Sequence, residues 1–263
     1  MKKWASIKDN LPAVGFLIFL IAIWELAARA ADVAAYILPA PSAIAMALVD
    51  NFSLLLEHTR VTFIAVIGGL AMAILVALIL AIAMDRWKPL KQALYPVLVI
   101  SQAIPIFALA PLILIWFGAG LLPKVLIVAL VCFFPLAVNL VEGFSQVDPE
   151  AVDLMQTMQA NRWMIMSSVQ LPFAMPFFFS GLKIAATYSV LGAIIGEWLA
   201  ARAGLGIYML RAMHSFRTSH LFASIIVVVI LSLTLFKLVE LSGWLAMPWQ
   251  RESNNRLNKA NNK

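Results

Sequence analysis

The chain has 263 residues, of which 63% are hydrophobic and 12% are charged. Soluble domains usually carry about 25% charged residues, so this composition excludes an ordinary soluble protein and favours a single transmembrane domain over residues 1–263. The net charge of +6 does not indicate nucleic-acid binding, because the basic residues lie mostly at the ends of apolar runs. The single cysteine, Cys132, lies inside an apolar run, which excludes an intrachain disulfide and a cysteine-based metal cluster.

Six apolar runs approach or exceed the length of roughly 20 residues that a helix needs to cross the hydrocarbon of a membrane. They are residues 12–31, 61–84, 94–117, 125–141, 176–195 and 221–245. The third run contains no charge but is interrupted by Pro96, Pro105 and Pro111. The sequence therefore predicts an all-α integral membrane protein with six transmembrane helices.

The basic residues between these runs are unevenly distributed over the two sides of the membrane. One side carries Lys2, Lys3, Lys8, Arg86, Lys88, Lys91, Arg162, Arg251, Arg256, Lys259 and Lys263, and the other carries Arg29, Arg60, Lys124, Arg202, Arg211 and Arg217. Because cytoplasmic loops are the richer in Lys and Arg, both termini are expected in the cytoplasm. The alternative, a signal peptide cleaved near Ala28–Ala30, would leave five spans and an odd parity.

The segment between the first two runs predicts a short amphipathic helix on the outer surface. Pro39 and Pro41 interrupt the chain, Ser42 is a candidate helix cap, and the apolar residues that follow include Ile44 and Leu48.

A long polar insert, residues 144–172, separates the fourth and fifth runs on the predicted cytoplasmic side. Asp148 is a candidate cap for a helix that begins at Pro149, with Glu150 in its first turn. Apolar residues recur at helical spacing along one edge, at Ala151, Leu154, Met155 and Met158. Such a helix either docks into another protein or lies on its own bundle, and the periodicity leaves both readings open.

This insert resembles the coupling loop of the permease subunits of binding-protein-dependent ABC importers, in the form Glu-Ala-Ala, three residues, Gly, and a later Leu-Pro. Asp153 stands at the glutamate position, Leu154 and Met155 replace the alanines, and Gln159 replaces the glycine. The residues that agree with the family pattern are Thr157, Ala160, Arg162, Trp163, Leu171 and Pro172, and Glu150 lies in the same segment. The segments "LPAPSAI", "LYPVLVISQAIPIFALAPLILIWFG" and "SGLKIAATYSVLGAIIGEWLAARAGLGIYML" are also similar to the branch that serves nitrate, sulfonates, taurine and thiamine-precursor pyrimidines.

The resemblance implies a fold, a set of partners and a location. The fold would be the MetI-like permease fold, with the insert as a cytoplasmic coupling helix. The partners would be two copies of a cytoplasmic ABC ATPase, a periplasmic or lipid-tethered substrate-binding protein, and a second copy of the chain. The chain itself would be non-catalytic and bind no cofactor, with ATP and Mg²⁺ on the ATPase. It would lie in the bacterial inner membrane and carry a thiamine-precursor aminopyrimidine, or alternatively a sulfonate, taurine or nitrate-type anion.

Polar residues inside the third and fifth runs are the candidates for a substrate pathway. They are Ser101, Gln102, Pro105, Thr187, Tyr188 and, at the outer end of the fifth run, Glu197. The hydroxyls and the amide could equally form hydrogen bonds between helices. Glu197 could equally anchor the fifth run at the membrane interface. Lys183 is expected to extend its side chain to the membrane interface rather than to act as a counter-ion for the substrate. The Gly192-x-x-x-Gly196 motif fits either packing within the bundle or a contact between two copies.

The remaining motifs favour neither an ATPase nor a self-sufficient carrier. The chain has no Gly-x-x-x-x-Gly-Lys-Ser/Thr phosphate loop, so energy must come from a partner or an ion gradient. His58, His214 and His220 lack companions at metal-ligand spacing. An ion-coupled carrier would require buried carboxylates near the middle of the membrane, but the glutamates lie near the ends of runs, namely Glu25, Glu142, Glu197 and Glu240. A structural scaffold would not need a third run that is broken by prolines.

Overall fold

The computed structural model describes residues 7–30, 34 and 36–249, and the regular structure in this part of the chain is helical. The helices are α1 (Ile7–Ala30), α2 (Pro41–Asp50), α3 (Phe52–Arg86), α4 (Lys88–Ser101), α5 (Ile106–Phe117), α6 (Leu121–Ser145), α7 (Pro149–Thr157), α8 (Arg162–Ile165), α9 (Leu171–Ala200), α10 (Leu205–His214) and α11 (Thr218–Ala246). One turn of π-helix, Met166–Gln170, joins α8 to α9. The basic residues near both termini, Lys2, Lys3, Arg251, Arg256, Lys259 and Lys263, lie outside the described residues.

The predicted all-helical membrane protein is confirmed, but the predicted count of six spans is not. Four described stretches are long and apolar enough to cross a membrane, namely Phe52–Arg86, Leu121–Ser145, Arg162–Leu199 and Thr218–Ala246. The bent pair of α4 and α5 adds a fifth at most. Helix α1 overlaps the first predicted span, residues 12–31, up to Ala30 and is not among these stretches.

Helix α6 forms the centre of the bundle, with α3 and α9 packed along it. Small residues let these helices approach closely, since the core includes Ala73 and Ala77 of α3 and Ala185 of α9. A Cβ at Gly192 would lie 3.2 Å from Cα of Val128 on α6. The Gly192-x-x-x-Gly196 motif therefore serves packing within this chain.

The third predicted span is broken, as its prolines indicate. It divides into α4 and α5, whose axes differ by 103°. The break lies before Pro105, which has no backbone N–H to donate, and whose ring disfavours helical geometry at Ile104. Pro96 and Pro111 instead lie inside α4 and α5.

The short helix α2 forms where the sequence predicts it, but Ser42 does not cap it. The cap position is Ala40, and Pro41 opens the helix. The Ser42 backbone N–H donates to Oε2 of Glu25 at 2.9 Å, and its hydroxyl donates to Oε1 at 2.8 Å. The Glu25 carboxylate thus accepts a bond from an otherwise unpaired N–H at the start of α2, where the helix dipole favours a negative charge.

Helix α9 is preceded by the π-helical turn, so the polar insert continues directly into a spanning helix. Pro172 cannot donate the bond that a regular helix would direct at residue 168, which accounts for the irregular turn there. The Gln170 side-chain amide donates to Oδ2 of Asp85 at 3.1 Å, which ties this turn to the end of α3. The opposite end of α3 contacts the far end of α9 through Thr62 and Glu197.

Candidate functional site

The break between α4 and α5 opens a cavity of about 650 Å³ against α6 and α9. Its walls include four of the predicted pathway residues, Ser101, Gln102, Pro105 and Tyr188. Residues that are far apart in sequence meet here because the 103° bend directs the α4–α5 connection towards the bundle. Thr187 and Glu197 do not line this cavity.

The cavity presents hydroxyl and amide groups on an apolar wall. The Gln102 amide and the Tyr188 hydroxyl have no hydrogen-bond partner among the described residues, and Tyr188 is 48% exposed. The Ser101 hydroxyl donates to the carbonyl of Leu98 at 2.8 Å, so it can still accept a bond. The site can therefore form hydrogen bonds to a polar, uncharged solute.

Asn139 is a polar wall residue that the sequence interpretation missed. Its Nδ2 donates to the carbonyl of Pro135 at 2.7 Å, which leaves Oδ1 as an acceptor at the cavity wall. The available signal was a lone amide inside an apolar span one turn after a proline. Only the packing of α6 against the broken span shows that it belongs to the same site as Gln102 and Tyr188.

Aromatic rings flank the cavity, and its lining within the described residues includes no charged side chain. Phe107 and Phe134 contribute to the wall. Phe107 also stacks on Trp198 with ring centroids 6.3 Å apart and an interplanar angle of 29°. The lining combines flat apolar faces with neutral hydrogen-bonding groups, which is typical of sites for small aromatic ligands.

Glu197 lies in a separate, fully buried network at the other end of α9 from the π-turn. Its Oε1 accepts from the Thr62 hydroxyl at 2.8 Å and its Oε2 accepts from the Gly206 backbone N–H at 2.7 Å. Gly204, with φ of +132°, lies so close that a Cβ there would be 2.2 Å from Cδ of Glu197. The sequence predicts Glu197 at the outer end of the pathway, with interfacial anchoring as the alternative. Within this chain its carboxylate bonds to Thr62 and to the loop between α9 and α10.

The polar insert forms the helix that the sequence predicts. Asp148 caps α7, its Oδ1 accepting from the Glu150 backbone N–H at 2.9 Å, and Pro149 occupies the first turn. The side chains of Glu150, Asp153 and Thr157 are exposed. Arg162 and Trp163 belong to the following helix, α8, rather than to the loop.

The apolar edge of α7 divides between two environments. Leu154 and Met158 are 62% and 70% exposed, whereas Ala151 and Met155 are half-buried. Trp163, 75% exposed, adds a large apolar side chain beyond the end of α7. One side of the insert thus rests on its own chain, and the other presents apolar groups to solvent.

Gln159 adopts a left-handed backbone with φ of +57° directly after α7. The Ala160 N–H donates to the carbonyl of Met155 at 3.0 Å, and the Gln159 N–H donates to that of Gln156 at 2.9 Å. These bonds close a helix C-terminus of the kind that usually has glycine at the left-handed position. The structure therefore explains why the coupling-loop pattern has glycine where this chain has Gln159.

Comparison with known proteins identifies the family. Residues 69–243 match the family described as "Binding-protein-dependent transport system inner membrane component". The chain belongs to this family. Its members are the membrane permease subunits of ABC importers, which are non-catalytic, and ATP is hydrolysed by a partner ATPase. Membership also implies a substrate-binding protein as a partner.

Two curated relatives cover nearly the whole permease. The chain is 34% identical over 238 residues to the formylaminopyrimidine transport permease protein ThiX of Halalkalibacterium halodurans, covering 90% of this chain and 95% of the relative. It is 36% identical over 244 residues to the riboflavin transport system permease protein RibX of Chloroflexus aurantiacus, covering 91% of each.

A solved structure supports the permease fold. The chain superposes on a chain titled "Crystal structure of an amino acid ABC transporter with histidines" with a TM-score of 0.61. The match covers 75% of this permease and 96% of the other chain, at 18% identity. At this identity the similarity shows the MetI-like fold alone.

Proposed function

We propose that this permease carries a small uncharged heteroaromatic solute, and that a thiamine-precursor aminopyrimidine fits best. The observation that carries the proposal is the cavity at the broken span. Its lining combines Gln102, Asn139 and Tyr188 with aromatic walls, and no charged side chain of the described part of the chain contributes to it. A pyrimidine ring offers donors and acceptors for the amides and flat faces for Phe107 and Phe134.

The alternative solute, a sulfonate, taurine or nitrate-type anion, fits this lining less well. An anion in a mostly apolar cavity requires a cation or several donors to offset its lost hydration. Lys183, the cation nearest to Tyr188 along α9, is not among the lining residues. The two relatives named for ring-containing solutes agree with the heteroaromatic proposal.

Uptake by proteoliposomes containing the permease, its ATPase and its binding protein tests the pathway. Gln102→Ala and Tyr188→Phe should each slow the uptake of radiolabelled formylaminopyrimidine about fivefold, since each removes a hydrogen bond of about 1 kcal/mol. Thr187→Ala is the matched control, because Thr187 adjoins Tyr188 but lies outside the lining and bonds to the carbonyl of Lys183.

Several results would contradict the pathway proposal. Unchanged uptake in both cavity variants would remove it, as would equal slowing by Thr187→Ala. Taurine that competes with the pyrimidine for the complete transporter would favour the anion alternative. ATPase co-purification should stay unchanged in all three variants, which separates pathway defects from assembly defects.

We propose that α7 and the adjoining Trp163 form the coupling surface for the ATPase. The exposed Leu154, Met158 and Trp163 supply apolar contact area, and Asp153 supplies a charge on the same insert. A short helix with exposed apolar residues fits a groove in a partner protein. The π-turn and Pro172 join this surface directly to α9, which carries Tyr188, so displacement of the insert can reach the cavity.

We propose that the transporter contains two copies of this permease and two of the ATPase, in a bacterial inner membrane, with both termini in the cytoplasm. The copy number rests on the resemblance to importer permeases, and the topology rests on the excess of basic residues on one side. Cysteines introduced at Asn10, Gln156 and Asn255 should react with a membrane-impermeant maleimide only after the cells are opened. Native Cys132 is fully buried and contributes little background. Labelling of any of the three in intact spheroplasts would contradict this topology.

A further inference from the structure

A basic pocket lies at the end of the bundle opposite the coupling helix, between α3, α10 and α11. It has a volume of about 220 Å³, and its lining includes His58, Arg211, Ser215, Arg217 and His220. Cavities for complete organic ligands usually measure about 300–1,000 Å³. This pocket therefore suits a charged group rather than a whole solute, and it is distinct from the cavity at the broken span.

The imidazole of His58 has a fixed tautomer with a free donor. The Gly204 backbone N–H donates to Nδ1 of His58 at 2.9 Å, so a neutral ring carries its proton on Nε2. No described residue accepts from this Nε2–H, although His58 is only 7% exposed. The Nε2–H therefore reaches the solvent of the pocket and is available to donate to an anion there.

Two guanidiniums add donors and charge. One N–H of Arg211 donates to the carbonyl of Arg202 at 3.2 Å, and the other N–H groups of its guanidinium have no partner among the described residues. Arg217 is exposed and precedes the first residue of the 29-residue helix α11, where the helix dipole is positive. Glu57, the neighbour of His58 along α3, is exposed and not among the lining residues.

Exposed apolar side chains lie in or beside the segments that line this pocket. Phe216 is 72% exposed, and its ring meets that of Tyr36 edge-on with centroids 6.1 Å apart. Phe52 and Leu54 are also exposed at the start of α3. Phe216 has φ of +55°, a left-handed conformation that is uncommon for a non-glycine residue. Aromatic residues beside basic groups are typical of a membrane interface.

We propose that this pocket binds the phosphate of a phospholipid headgroup, with the acyl chains lying along the apolar rim. The same phosphate chemistry could come from a free phosphate ion, but a soluble ion would gain nothing from the exposed Phe52, Leu54 and Phe216. Arginine guanidiniums match phosphate oxygens bidentately, and the His58 Nε2–H completes the donor set.

Lipid binding to the complete chain, purified with its ATPase in detergent, tests the proposal. Dioleoyl phosphatidylglycerol should raise the thermal midpoint saturably, and diolein, which lacks the phosphate, should not. Arg217→Gln should weaken the apparent affinity for phosphatidylglycerol about tenfold, because it removes a positive charge and its charge-assisted hydrogen bonds to the phosphate. Arg60→Gln is the matched control, since Arg60 is exposed on α3 outside the pocket.

A second pocket variant shows whether weaker lipid binding by Arg217→Gln reflects a folding defect. Each result that would contradict the proposal points to a different explanation. Ser215→Asp adds a negative charge to the exposed pocket wall and should also weaken lipid binding. Equal stabilisation by inorganic phosphate at the same concentration would reassign the pocket to a soluble anion. Wild-type lipid affinity in both pocket variants would overturn the proposal. Unchanged lipid affinity with weaker capture of the binding protein would instead assign the pocket to protein docking.

Discussion

Replacing Gln159 by glycine should stabilise the end of the coupling helix. A left-handed conformation costs a non-glycine residue about 1–2 kcal/mol, and glycine has no such penalty. Glycine loses about 0.5–1 kcal/mol more backbone entropy on ordering, so the net gain should be about 0.7 kcal/mol. Gln159 is exposed, and the two bonds of the helix end use backbone N–H groups, so the substitution removes no contact.

Hydrogen–deuterium exchange of peptides from this insert measures the effect. A gain of about 0.7 kcal/mol corresponds to roughly threefold slower exchange where local opening limits the rate. Gln156→Gly is the matched control, because Gln156 is an exposed residue inside α7, where glycine should destabilise the helix by about 1 kcal/mol and speed exchange. If both variants shift exchange in the same direction, the left-handed position of Gln159 does not govern the stability of this turn.

Three further predictions concern the packing and the coupling surface. Glu197→Ala should lower the thermal midpoint markedly, since an orphaned buried donor at Gly206 alone costs about 1–3 kcal/mol, while Glu197→Gln should recover part of the loss; equal losses would contradict the acceptor role. Gly204→Ala should destabilise strongly because of the φ of +132° and the clash with Glu197, whereas Gly15→Ala, at an open helical site, should be neutral or stabilising; similar midpoints for the two would refute this. Ala160→Trp should reduce ATPase co-purification or uncouple hydrolysis from uptake while the bundle still folds, and full uptake with full ATPase binding would exclude a coupling role.

The helix of the polar insert was predictable because its signals are local. Asp148, Pro149 and Glu150 occupy consecutive positions whose preferences follow from the unpaired N–H groups and dipole of a helix start. The cap of α2 was not predictable in the same way. Ser42 fits the local pattern, but its side chain bonds to Glu25 of another helix, and that contact depends on how α1 and α2 meet.

The candidate cavity was predictable in part. Gln102, Pro105 and Tyr188 were identified because polar residues and prolines in apolar spans need a reason to be there. Glu197 fitted the same argument but is sealed in a contact with Thr62 and a loop N–H. Sequence alone does not distinguish a polar side chain that faces a cavity from one that bonds across a helix contact, since both avoid lipid.

Composition and spacing by themselves determined that this chain is an all-helical membrane protein, because the length and purity of an apolar run respond directly to the thickness and polarity of the bilayer. They also determined where the polar insert lies and how its helix begins. Only the tertiary structure decided the 103° bend, the meeting of Asn139 with Gln102 and Tyr188, and the basic pocket formed by His58, Arg211 and Arg217. Each of these depends on the angle and register at which separate helices pack, which are set by contacts between residues far apart in sequence.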